Sequence, residues 1–244
     1  MLERKKKLTA KMEPFDSFWE APDNIEKGYK SFFNFYRHNY LKHIPHNKNI
    51  KVLVVSCGPG YFVDMLNRHG YHDVLGIDSM ADQLRYAEQR NLNCIQAEAY
   101  DYLCQHQDEF DVIYCEQEVN HLTKNEIMEF LDLFNGSLKP GGTLVLHALN
   151  GANPITGAEA LAQNFDHYNS FTEYTFKQIL EFKGYKNIQV FPLNLYVFFK
   201  NPLNYILIIM SKCYELFFTV SFIMYGKKNR LWTKKIGAVC KKGV

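Results

Sequence analysis

The sequence predicts an α/β fold built on an open, mostly parallel sheet. Three observations carry that expectation. From Lys51 onward, strand-like apolar runs alternate with helix-like runs. The first of them, VLVVSCGPG (52–60), passes from a buried-strand pattern directly into two glycines. The next apolar run, VLGID, ends on the carboxylate of Asp78. In an open parallel sheet a ligand sits beyond the carboxyl ends of the strands, so the first strand-to-helix turn must let it reach the backbone. Glycine permits that approach because it has no Cβ. A carboxylate closing the second strand can accept hydrogen bonds from both ribose hydroxyls, each contributing about 1.5–3 kcal/mol. A nucleoside-cofactor site is expected at Gly58, Gly60 and Asp78.

The chain has 244 residues, 47% of them hydrophobic, enough for one sizeable core with or without an appendage. Its six cysteines form no CxxC pair and several lie in apolar runs, which fits a reducing, cytoplasmic compartment and no metal site. The start, MLERKKKLTAKMEPF, is basic but lacks the apolar stretch of a secretory signal, so no export is expected. A net charge of only +2 hides a regional imbalance: residues 194–244 hold nine Lys or Arg against one Glu.

The elements follow in order. Ile25, Tyr29, Phe32, Phe33, Tyr36 and Tyr40 recur at helical spacing between Asn24 and Lys42, predicting a lid or packing helix within an arm of residues 1–45. A core over 46–193 begins with the strand KVLVV and the helix Tyr61–Arg68. It continues with VLGI, the helix Met80–Arg90, then NCIQA and DVIYC as third and fourth strands. A helix from Lys124 to Leu138 leads through the turn KPGG into a fifth strand, TLVLHAL (143–149). Residues 150–170 break the pattern with Asn, Gly and Pro, and so long an irregular piece in a compact domain is more often functional than accidental. A helix from Thr172 to Phe182, capped by Thr172 and Thr175, precedes the sixth strand, NIQVFPL (187–193).

The runs PLNYILIIM (202–210) and CYELFFTVSFIMY (213–225) are separated by Ser211 and Lys212, and neither reaches the ~20 apolar residues of a spanning helix. They predict a helical hairpin within 194–230. With its basic flanks, the segment 202–235 suits peripheral contact with anionic lipid. The plainer alternative is a helical cap or homodimer face. KIGAVCKK (235–242), within 231–244, closes the sheet as a seventh strand.

A nicotinamide site would require GxGxxG, but Val63 stands at the third glycine position, and no GK[ST] phosphate loop occurs. The ordered runs VLVVSCGPG, VLGID, FDVIYCEQEVNHL and LKPGGTLVLHALN resemble four motifs of the class I S-adenosylmethionine-dependent methyltransferases, over roughly residues 45–192. Val54 and Ser56 depart from the family's usual Asp and first Gly. The resemblance implies a Rossmann-like sheet of seven strands with the last antiparallel, and S-adenosylmethionine as cofactor. It implies that Ser56, Cys57, Gly58 and Gly60 lie against the methionine and ribose portions, and that Asp78 binds the ribose hydroxyls beside Ser79 and Met80. It further implies Glu98 at the adenine amino group, Ala99 on the ring, and Glu116 and Gln117 lining the cofactor. Read without the family, Asp78 is equally a helix cap before Met80, and Glu98 a solvated glutamate at a helix start.

Methyl transfer from a sulfonium is an in-line displacement in which alignment of the acceptor supplies much of the catalysis. A hydroxyl acceptor also needs a proton sink, and histidine is the natural one near neutral pH. His38, His43, His46, His69, His72 and His106 read as surface residues. His121 follows the fourth strand by six residues, on the carboxyl edge of the sheet, and His167 lies in the irregular segment NFDHYNSFT. That segment and the tail LWTKKIGAVCKK resemble methyltransferases of bacterial surface-polysaccharide (capsule and O-antigen) biosynthesis, whose pattern is approximately DxTHxxxFT. His167, Phe171 and Thr172 agree with it, and Asn164 and Asp166 do not.

The candidate base is therefore His167 or His121, each with the alternative of a structural histidine bonding a loop carbonyl. Asn120, Asn150 and Asn153 could bond a polyhydroxylated acceptor, though Asn is equally at home in turns. The resemblance implies an O-methyltransferase for a sugar hydroxyl or phosphate-type glycan substituent, carried by a nucleotide or lipid, in the cytoplasm or at the inner membrane face. The alternatives are a methyltransferase of a small quinone-like or carboxylate metabolite, and a catalytically silent S-adenosylmethionine-binding subunit. No nucleic-acid partner is expected, because the basic residues cluster at a hydrophobic tail.

Overall fold

The first strand, β1 (Lys51–Val55), alternates its side chains between two cores, and that alternation organises the molecule. Val52 and Val54 enter one apolar cluster, Leu53 and Val55 the other, as the two-residue period of a strand buried on both faces requires. The structure, a computed structural model, describes residues 22–115, 118–162, 167–194 and 202–243.

Seven strands run in the order β3-β2-β1-β4-β5-β7-β6, with β2 Asp73–Asp78, β3 Cys94–Gln96, β4 Phe110–Cys115, β5 Leu138–Leu149, β6 Lys186–Leu193 and β7 Lys235–Lys241. The first five are parallel, and β7 is antiparallel to both β5 and β6. The order reverses between β1 and β4, so the loops after these strands flank a crevice at the carboxyl edge. The Rossmann-like sheet with an antiparallel last strand is as the resemblance implied.

Helix α1 (Pro22–Asn39) and α2 (Tyr61–Arg68) cover one face. The aromatic stripe explains their contact: Tyr29 meets Tyr61 edge-on at 4.7 Å, Phe32 stacks on Tyr61 at 5.1 Å, and Tyr36 meets Phe62 at 4.9 Å. Gly28 makes room for this, since a Cβ there would lie 2.2 Å from the Tyr61 hydroxyl. After α1 the chain tightens into a 3₁₀ turn, Leu41–His43. Helix α3 (Ala81–Glu88) follows β2, and α4 (Ala99–Gln105), α5 (Lys124–Ser137) and α7 (Glu173–Phe182) complete the layers, with a short α6 (Glu159–Ala162) in the long loop. Capping boxes start α5, through Thr123 and Glu126, and α7, through Thr172 and Thr175.

Three expectations change. KPGG is not a turn ahead of β5 but an irregularity inside it: Leu138 already pairs with Phe110, and pairing resumes at Thr143 opposite Val112. The two hydrophobic runs do not form a hairpin; among the described residues they make one helix, α8 (Pro202–Met224). Neither Ser211 nor Lys212 breaks it, because serine costs little in a helix and Lys212 pairs with Glu215 one turn on at 2.7 Å. Finally, His43, His69 and His106 are half-buried. They stack on Phe191 at 3.9 Å, Phe33 at 5.2 Å and Tyr102 at 4.0 Å.

Candidate functional site at the carboxyl edge

The loop after β1 is built from left-handed residues. Ser56, Gly58 and Gly60 have φ of 57°, 50° and 81°, a region that suits glycine and burdens serine. The two glycines serve different ends. A Cβ on Gly60 would lie 2.9 Å from Leu92 Cδ1 and 3.2 Å from Ala87 Cβ, so its bareness packs the loop against α3. A Cβ on Gly58 would meet nothing within 4 Å, and this is the open side on which a ligand can reach the backbone.

Beside it, the Asp78 carboxylate accepts from Gly58 N through Oδ2 and from Met80 N through Oδ1, both at 2.8 Å. Asp78 thus ties the glycine loop to the entry of α3, while α3's own cap position is Met80. Each carboxylate oxygen has further acceptor capacity. A half-exposed carboxylate beside an unobstructed glycine backbone fits the ribose of a nucleoside cofactor.

Cys57 lies in the same loop with its side chain turned inward. Its N–H donates to Ile77 O at 3.1 Å and its carbonyl accepts from Gly60 N at 2.9 Å. Hydrogen bonding with Cys94 and then burial hold its thiol well above the usual range, so it packs as a small hydrophobe. Gly76 in β2 admits both sulfurs, since a Cβ there would sit 2.8 Å from each Sγ. Val54, where the family's usual Asp stands, is buried in the core under α1 and α2.

Ala97 N donates to Asp78 O, and the Gln96 side chain to Ser79 O. The start of α4 therefore lies next to the end of β2, bringing Glu98 and Ala99 alongside Asp78, Ser79 and Met80. Glu98 is exposed at the α4 cap position and Ala99 is half-buried. Glu116 and Gln117 lie outside the described residues.

Across the crevice, the structure brings the two candidate histidines together: the rings of His121 and His167 meet at 4.7 Å, tilted by 66°. Asn120 is the reason. Its carbonyl accepts from Tyr168 N at 3.0 Å, its Nδ2 donates to Asn169 O at 2.8 Å, and its Oδ1 accepts from Leu149 N. Asn169 answers by donating its Nδ2 to Leu122 O. The turn after β4 and the long loop after β5 are thereby zipped side by side.

The three asparagines read as acceptor ligands are engaged in the chain's own hydrogen bonds. Asn120 and Asn150 are each 1% exposed. Asn150 Nδ2 donates to Leu231 O and Thr233 O, and its Oδ1 accepts from Ala152 N. Asn153 donates to Trp232 O and accepts from Ile155 N and Thr156 N. These amides fasten the long loop to the lead into β7, which leaves them little capacity for a substrate.

Two supports had no signal in the sequence. Tyr29 reads as one more apolar position of α1, yet its hydroxyl donates to Pro59 O in the glycine loop. Arg90 then holds Tyr29, with its guanidinium 3.7 Å from the ring centroid and bonded to Glu26 at 2.6 Å. In β5, His147 shares a hydrogen bond with the Tyr40 hydroxyl. Burial, and then Lys235, hold the His147 pKa well below the ordinary value.

A sequence model described as methyltransferase domain matches residues 52–142. No curated protein matches the sequence. Among solved structures, the chain is similar to a SAM-dependent methyltransferase from Archaeoglobus fulgidus at 17% identity and a TM-score of 0.64, covering 88% of this chain and 94% of that one. It is similar to a Thermotoga maritima methyltransferase described as a possible histamine N-methyltransferase, at 13% identity and a TM-score of 0.62, covering 92% and 97%. A third is Haemonchus contortus phosphoethanolamine N-methyltransferase 2 with phosphomonomethylethanolamine and S-adenosylhomocysteine, at 13% identity and a TM-score of 0.59, covering 96% of this chain and 61% of that one. Sheet order and the similar structures agree on the fold: the chain has the class I S-adenosylmethionine-dependent methyltransferase fold, and its residues 52–142 match the methyltransferase-domain model.

Proposed function

We propose that this methyltransferase transfers the methyl group of S-adenosylmethionine to a hydroxyl of a small-molecule acceptor, with the His121–His167 pair receiving the proton. The observation that carries this reading is the meeting of the two rings at the carboxyl edge, across the crevice from Gly58 and Asp78. When bound, S-adenosylmethionine supplies a methyl group already activated on a sulfonium. The chain's part is alignment: Gly58 and Asp78 hold the nucleoside end, while Asn120 fixes the loop pair that carries the histidines. One imidazole would take the hydroxyl proton as the acceptor oxygen bonds the methyl carbon and the methyl–sulfur bond breaks, the neutral thioether S-adenosylhomocysteine being the leaving group, with the adjacent ring orienting the base.

Molecules named for the similar structures are small, histamine and phosphomonomethylethanolamine, which supports a small-metabolite acceptor; that it is quinone-like or carboxylate-bearing is our own reading. A sugar hydroxyl on a nucleotide- or lipid-linked glycan of surface-polysaccharide biosynthesis is the second reading. It is favoured by His167 with Phe171 and Thr172, where Phe171 bridges to Asn150 and Thr172 caps α7. We place the reaction in the cytoplasm, at the inner face of a membrane.

Methyl-transfer assays with mass detection, run against quinols, hydroxy-carboxylates, nucleotide sugars and lipid-linked sugars, separate the two readings. His167→Ala and His121→Ala are expected to lower kcat by roughly 10²–10⁴-fold, the usual contribution of a general base, with cofactor affinity unchanged. Full turnover in both variants would remove the proton-acceptor role.

A further inference from the structure

Helix α8 is inverted relative to a helix on the surface of a water-soluble protein. Such a helix buries its apolar stripe and turns charge outward. In α8 the half-buried stripe contains the polar residues Asn204, Ser211, Glu215 and Thr219, together with Phe218 and Phe222 against Trp232. The outward side is apolar: Ile209 is 64% exposed, Phe217 63% and Ile223 63%. At 100° per residue the exposed apolar positions cover an arc of roughly 200°. A helix pair would need only a narrow seam, whereas an arc that wide is what a helix sunk sideways into lipid displays.

Charge points to the same partner. Lys227, Lys228, Arg230, Lys234 and Lys235 follow the helix directly, and cations next to an apolar helix complement anionic headgroups. Tyr205, Tyr214 and Tyr225 are exposed along it, a residue type enriched at membrane interfaces.

Length alone would let α8 cross a bilayer, since its 23 residues extend about 34 Å. Connectivity forbids it. Leu193 at the end of β6 pairs with Lys235 at the start of β7, so the chain leaves and returns on one side. A single pass would need a connector to recross the hydrocarbon. The nine steps from Leu193 to Pro202 cover the ~30 Å core only if the chain is fully extended, with its backbone groups unpaired in hydrocarbon, and residues 225–234 carry Lys227, Lys228, Arg230 and Lys234.

We propose that α8 lies in the plane of an anionic membrane surface, its outward arc among the acyl chains and the 227–235 cations on the headgroups. This deepens the membrane-face placement above and rests on it. The helix is also wired to the site. Trp232 packs on Phe218 and Phe222 and donates Nε1–H to Thr219 at 2.8 Å. Its carbonyl accepts from Asn153, in the loop that carries His167. A helix lying on the bilayer therefore holds the carboxyl edge near the surface, where an amphiphilic acceptor can enter without leaving the membrane.

The test is vesicle flotation of the full chain, with cofactor binding titrated in parallel. Roughly tenfold more protein is expected with phosphatidylcholine–phosphatidylglycerol vesicles than with phosphatidylcholine alone, as several interfacial cations require. The double variant Ile209→Asp/Phe217→Asp should stay in the soluble fraction while still binding cofactor, and Lys227→Glu/Lys228→Glu should lose the preference for anionic lipid. Nitroxide labels on Ile206→Cys and Phe217→Cys should report the same shallow depth. The proposal is overturned if cofactor-binding protein ignores anionic vesicles. It is equally overturned if Ile209→Asp/Phe217→Asp dissolves a dimer that never floated, or if the two labels lie at clearly different depths. Protein that floats but methylates no acceptor in the panel would remove the acceptor reading and leave this one standing.

Discussion

Asp78 ties two main-chain amides with one carboxylate, and ribose binding is the role we propose for it. It fixes Gly58 and Met80 by their amides at 2.8 Å each, and each oxygen retains capacity for a ribose hydroxyl. Asp78→Ala is expected to raise the S-adenosylmethionine dissociation constant by about tenfold or more, since a hydrogen bond to a charged acceptor contributes about 1.5–3 kcal/mol. Gly58→Val should do the same by another route, filling the open side of the loop and forcing a branched residue to a φ of 50°. Calorimetric titration checks both, and wild-type affinity in either variant would move the cofactor away from this loop. The placement of Gly58 after β1 and of Asp78 at the end of β2 was legible in the sequence because buried strand runs lead directly into them. Tyr29 and Asn120 were not. Their partners are main-chain groups 30 and 49 residues away, respectively, and nothing in a tyrosine or an asparagine says which distant carbonyl or amide it will meet.

At the scale of elements, strands and amphipathic helices were legible because their periods of two and 3.6 are imposed by burial. Helix α8 misled because its polar residues were read as a break. Without Gly or Pro to stop the helix, they turn to its inner side instead. The 3₁₀ turn Leu41–His43 gives a pH-dependent contact. His43 stacks on Phe191, and burial, then Lys42, lowers its pKa to about 4. The unfolded histidine takes up its proton near ~6.5. Between these values the unfolded chain binds more protons than the folded one, so stability is full above ~6.5 and is lost as pH falls towards 4. Buried His147 acts in the same direction. The Tm should therefore fall between pH 7 and pH 5, with a shallower slope in His43→Phe, which keeps the ring stack and has no proton to gain. An unchanged slope in that variant would show that the turn does not sense pH.

At the scale of the whole molecule, one core lies on each face of the sheet and no α8 residue belongs to either. No residue of α8 is buried. Replacing residues 196–228 with a short Gly/Ser link, and keeping Leu231–Thr233 for their bonds to Asn150 and Asn153, should leave cofactor affinity unchanged. Thermal melts should show a gain of about 1 kcal/mol from the shorter loop. Loss of cofactor binding in this variant would mean that the excursion supports the core. β6 and β7 stay in register from Leu193–Lys235 through Gln189–Val239, on either side of that excursion. A strand pair that holds its alignment across so long a detour can acquire, exchange or discard it without rethreading the sheet. The segment between them is thus separable from the sheet: exchanging it would leave the pairing of β6 with β7 in place, and with it the loop after β1 and the end of β2 on the far side of the sheet.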